Sequence, residues 1–116
     1  SSGGSMIDTA KQLKKMNAKR VFICCTFGLF TDGLEAFDKA YEQCYFDRII
    51  TTNLCYQPPE LKEKPYYQEA DMSKYIASII NFMNHDASMS NIYTPTEKIH
   101  TILAKYNNRE EDALDG

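Results

Sequence analysis

Near the start of the chain the apolar positions Met6, Ala10 and Leu13, with Met16 three further on, recur at helical spacing. They predict a helix from Ser5 to about Ala18, with Ser5 as its N-cap. The run Arg20 to Cys25, RVFICC, is continuous and β-prone, and reads as a strand buried on both faces. A turn-rich segment, Thr26 to Gly33, leads into a second helix with Leu34, Phe37, Tyr41 and Cys44 on one face. Asp47 to Thr52 predicts a short strand, Asn53 to Pro65 a proline-bearing loop, and Tyr66 to Ala70 a weaker strand. Met72, Tyr75, Ile76, Ile79, Ile80 and Met83 then give the cleanest amphipathic helix. Thr94 and Pro95 open a last helix carrying Ile99, Ile102, Leu103 and Tyr106, and NNREEDALDG should fray as an acidic tail.

Strands that alternate with helices long enough to cross over imply an α/β fold with a parallel sheet flanked by helices. Residues 1–107 are expected to form one domain and 108–116 a flexible acidic tail. A chain of βα units should begin with a strand, yet the first unit begins at its loop, SSGGS. Either that pentapeptide is a foreign linker, or a strand belongs just upstream of it.

Charge removes some functions from consideration. A net charge of -3 argues against a protein that wraps nucleic acid, which needs a basic face. The basic cluster Lys11, Lys14, Lys15, Lys19 and Arg20 reads as a solvated helix face. No apolar run is long enough to span a bilayer and no signal segment is evident, so the cytoplasm is the default location. The four cysteines Cys24, Cys25, Cys44 and Cys55 lack metal-ligand spacing and read as reduced packing residues, at least one of the adjacent pair pointing into a core. His85 and His100 have no ligand-spaced partner, and Glu35 and Asp38 share a helix face without an acid/base arrangement. No metal site and no catalytic constellation is expected within the chain.

The opening loop carries the candidate chemistry. Gly3 and Gly4 lack Cβ atoms, so an oxyanion can approach the main chain, and the helix start presents free NH groups and the positive end of its dipole. Ser2 and Ser5 add hydroxyl donors, and the whole would cradle a phosphate monoester at the carboxyl end of a parallel sheet.

Taken together, SSGGSMIDTAKQLKKMNAKRVFICCTFGLF, DRIITTN and DMSKYIASIINFMNHDASMS resemble the C-terminal half of ribose-phosphate diphosphokinases, the phosphoribosyl diphosphate synthetases. The likeness covers about residues 1 to 106 and is most specific over the first 31. It implies a phosphoribosyltransferase-like, Rossmann-like half, in which Ser1, Ser2, Gly3, Gly4 and Ser5 grip the 5-phosphate of ribose 5-phosphate. The implied reaction moves a diphosphoryl group from magnesium-bound ATP to the C1 hydroxyl of ribose 5-phosphate, chemistry that depends on positioning and charge neutralisation. The resemblance puts the cationic residues, most ATP contacts and an acidic pair before residue 1, so the chain alone should lack synthetase activity and bind ribose 5-phosphate poorly. Assembly as a homo-oligomer, usually a hexamer in the family, is implied as well.

The chain departs from the family's pattern in places. The family commonly has Asp, Thr, Gly, Gly, Thr where this chain has Ser1 to Ser5, so Ser1 loses a carboxylate. Phe27 stands where the family has His in a Thr-His-Gly sequence, and a phenyl ring neither titrates nor hydrogen-bonds as imidazole does. Ser88 and Ser90 look like the family's Ser-x-Ser, which in some members binds a regulatory phosphate; capping of a local turn is the alternative. A non-catalytic regulatory paralogue, or another type I phosphoribosyltransferase, are the competing readings of the whole.

Overall fold

The structure, a computed structural model, describes residues 3–85 and 95–114, with side chains as far as residue 107. Ser1, Ser2, Ser88, Ser90 and Thr94 lie outside the described residues. The chain is organised as two compact units, Ser1–Lys74 and Tyr75–Gly116.

The first unit follows the predicted order with α1 at Gly4–Lys15, β1 at Phe22–Cys25, α2 at Glu35–Glu42, β2 at Arg48–Thr52, α3 at Pro59–Lys62 and β3 at Tyr67–Ala70. The strands form a parallel sheet in the order β1-β2-β3, with Ile23 opposite Ile49 and Ile49 opposite Tyr67. This is an α/β fold, its sheet flanked by helices as the pattern predicts. The helix α3 was hidden in the proline-bearing loop. Pro58 is extended and Pro59 opens the helix, where a missing N–H is no loss.

Side chains directly opposite each other in paired strands share a face, so Ile23, Ile49 and Thr51 point one way. That face carries the core: Ile7 and Ala10 of α1 and Phe37 and Ala40 of α2 cluster with Ile23, Ile49, Phe46 and Tyr66. Phe30 and Phe37 meet edge to face at 5.2 Å, and Phe46 and Tyr66 at 5.4 Å, so the aromatic set packs in favourable geometries. Tyr41, also expected in the core, is partly buried beside Phe46 and Tyr66.

The other face corrects an expectation. Strand β1 is not buried on both sides, because Phe22 is 52% exposed and Cys24 is exposed, while Arg48 and Gln68 follow them on the same side. Polar residues alternate into β2 and β3 there, which is the signature of a half-buried strand rather than of a doubly covered one. The cysteine reading holds in part. All four thiols are free, and Cys25, opposite Thr51, is turned to the core face though only half-buried, whereas Cys24 and Cys44 are exposed and Cys55 is half-buried. Cys44 leaves the helical face because α2 ends at Glu42 and Cys44 itself takes a positive φ of 58°.

The second unit carries α4, at Ser73–Asn84 and so crossing the boundary, and α5, at Thr96–Leu114. The amphipathic pattern gives helices where expected, yet α4 has no buried residue, and Ile80, Met83, Ile102 and Tyr106 are each more than half exposed. Helix α5 runs to Leu114, through most of the segment expected to fray. Glu110, Glu111 and Asp112 continue a helical register that good helix formers such as Leu103, Ala104 and Lys105 have already established.

Candidate phosphate-binding site

Helix α1 opens from Gly3, which has φ 80° and ψ 0°, the left-handed region that glycine enters without steric cost. Space demands glycine as well, because a Cβ placed there would overlap the ring of Phe37 in the first turn of α2. The Gly3 carbonyl accepts the first intrahelical bond from Ile7 N at 3.0 Å. The N–H groups of Gly4, Ser5 and Met6, in the first turn, therefore have no partner within the helix. Gly4 and Ser5 are exposed, and no acidic side chain sits in the first turn to compete for those donors.

Ser5 has a different place from the one expected. The cap is Gly3, with no side-chain hydrogen bond, and Ser5 lies in the first turn with its carbonyl accepting Thr9 Oγ1 at 2.8 Å. A left-handed glycine turns the chain into the helix one residue earlier than a serine cap would. The Ser5 hydroxyl thus makes no capping bond. Of the five expected phosphate ligands, Gly3, Gly4 and Ser5 stand together at the helix start, and Ser1 and Ser2 are outside the described residues.

This start lies against the segment that follows β1. Gly3 and Met6 line a small hollow with Cys25, Phe27, Leu29 and Phe37. The hollow is about 80 Å³ and is lined by apolar residues and the Cys25 thiol, so its interior offers no charged side chain. Glycine is needed at Gly28 too, where a Cβ would come within 2.7 Å of Thr51 Cγ2 and of Phe30 Cε2.

Hydrogen bonds that the sequence did not announce hold the loop after β1 against the end of β2. Thr52 Oγ1 donates to the Thr26 carbonyl, and Gln57 Nε2 donates to the Gly28 carbonyl at 3.0 Å. Gly33 N closes a turn on the Phe30 carbonyl at 3.0 Å. Gln57 is 6% exposed, and its Oε1 is buried without a partner among the described residues. Phe27 is 60% exposed on this pinned loop, so it presents an apolar ring at the rim and no proton.

A second clasp joins the carboxyl ends of β2 and β3. Asn53 Nδ2 donates to Asp71 Oδ1 at 2.8 Å, and Asn53 Oδ1 accepts Met72 N at 2.8 Å. Asp71 Oδ1 also accepts Ser73 N and Ser73 Oγ, which caps α4. The Ser73 and Asn53 hydrogen bonds hold the Asp71 carboxyl below its ordinary value. An Asn and an Asp 18 residues apart carry no local signal of such a pairing; only the strand register brings them together.

Asp38, read from sequence as one of a pair with Glu35, works instead with Lys64 and Tyr66. Lys64 Nζ donates to Oδ2 at 2.7 Å and Tyr66 OH to Oδ1 at 2.8 Å. Burial raises the Asp38 pKa, but the bonds from Lys64 and Tyr66 outweigh it and the carboxyl stays below its ordinary value. Burial, and then the neighbouring Asp38, push the Tyr66 phenol up. This network locks α2 to the segment entering β3.

In the basic cluster Lys15, Lys19 and Arg20 are exposed, and two lysines have local partners. Lys14 reaches the Lys19 carbonyl at 2.8 Å and Asp47 at 3.8 Å, and Lys11 lies 5.5 Å from the centre of the Tyr45 ring. His85 and His100 are exposed, with His85 Nδ1 bonded to the Asn81 carbonyl at 2.8 Å. Among the described residues no three His, Cys, Asp or Glu side chains converge, and no helix is long and apolar enough to cross a membrane.

What the fold and site define is an α/β domain with a glycine-opened helix at the carboxyl end of a parallel sheet. Three curated proteins it is similar to share one name. The chain is 29% identical over 94 residues to a ribose-phosphate pyrophosphokinase of Mycoplasma pneumoniae, covering 80% of this chain and 28% of that protein. It is 26% identical over 92 residues to the enzyme of that name from Mycoplasmopsis pulmonis, and 29% over 93 residues to that from Mycoplasma genitalium, again over 28% of each. No protein-family model matches. The chain therefore spans just over a quarter of the length of the curated relatives it matches, and its likeness to ribose-phosphate pyrophosphokinases is that of a partial region.

Proposed function

We propose that this chain is the ribose 5-phosphate binding part of a ribose-phosphate diphosphokinase, the enzyme that makes 5-phosphoribosyl 1-diphosphate for nucleotide biosynthesis. The observation that carries the reading is the exposed first turn of α1, free of acidic side chains and opened by a left-handed glycine, in a chain whose relatives bear that name. The amides of Gly4 and Ser5 and the Ser5 hydroxyl would hold the 5-phosphate, with Ser1 and Ser2 completing the loop. Backbone donors of this kind bind by being fixed in advance, so their contribution is orientation of the sugar for attack by its C1 hydroxyl.

ATP, magnesium and a homo-oligomeric assembly belong to the same proposal. Magnesium would be held largely by the phosphate oxygens of the bound substrates, with few ligands from the protein. Ser88 and Ser90 remain the proposed contacts of a regulatory phosphate.

Ser5→Asp tests the site, because a carboxylate there has opposite effects on folding and on binding. It should stabilise the start of α1 by about 0.3–1 kcal/mol through the helix dipole. It should also abolish the weak ribose 5-phosphate binding of the chain, followed by nuclear magnetic resonance titration. Unchanged binding in a folded Ser5→Asp chain would remove the first turn of α1 as the phosphate site.

A further inference from the structure

We draw no further inference here: the strongest candidate, the open edge of β1 with the apolar groove that Met6, Leu13 and Phe22 form beside it against α1, is an unpartnered apolar surface, and nothing in the structure shows what covers it.

Discussion

Gly3 does two things at once. Its left-handed φ turns the chain into α1, and its missing side chain leaves room for Phe37. Gly3→Ala meets both constraints and should cost about 2–4 kcal/mol, the left-handed penalty and the overpacking adding to each other. Urea unfolding measures this, and the additional change Phe37→Leu should recover part of the loss by relieving the overlap. Asp38 offers a residue-scale test with a pH signature. Its folded carboxyl lies below the ordinary value of 3.8, so its stabilisation is present above that pH and is lost as pH falls through the folded value. Asp38→Asn should cost about 0.5–1.5 kcal/mol at neutral pH, the figure kept modest because Asp38 and Lys64 are partly in water. The difference from the parent should shrink in acid; a constant difference from neutral pH into acid would contradict the charge-assisted network. The thiols order themselves by exposure as well. Cys24 and Cys44 should react with a maleimide well before Cys25, whose thiol burial pushes up, and mass spectrometry of partially labelled protein reads the sequence of events.

At the scale of elements, periodicity announced nearly every helix and strand, because burial of one face repeats every turn or every second residue. The spacing of Met6, Ala10 and Leu13 marked α1, and the RVFICC and DRIITT runs marked β1 and β2. What the pattern left unsaid was carried by single residues at ends. The cap of α1 is Gly3 and not Ser5, and α2 stops before Cys44, because left-handed backbone at Gly3 and Cys44 decides each end. The half-exposed face of β1 was unreadable from a continuous apolar run, since such a run looks the same whether one side or both are covered. The candidate site divides similarly: two glycines before a helix are legible locally, whereas Thr52 on Thr26 and Asn53 on Asp71 exist only through parallel register. Asp71→Ala therefore acts between elements. It should leave β2 and β3 paired while the amides of Met72 and Ser73 exchange faster, their acceptors having been lost or loosened. Hydrogen exchange confined to those amides is the expected outcome, and protection lost across β2 would contradict it.

Across the whole molecule, a glycine-opened helix start stands in a chain that spans only 28% of its Mycoplasma pneumoniae relative. Of the lysines on α1, Lys11 and Lys14 are engaged with Asp8, Tyr45, Lys19 and Asp47. Phosphoryl transfer needs charge neutralisation at the transferred group, so the 116-residue chain alone is expected to form no 5-phosphoribosyl 1-diphosphate from ATP and ribose 5-phosphate. Substantial turnover by the purified chain would contradict that expectation. Titrating isotope-labelled chain with ribose 5-phosphate, and following its backbone amides, shows whether α1 begins at a sugar-phosphate site. Shifts concentrated at Gly3, Gly4, Ser5 and Met6, saturating in the millimolar range and absent with ribose, are expected. Shifts centred elsewhere, or none at these four amides at saturating ligand, would contradict a site there.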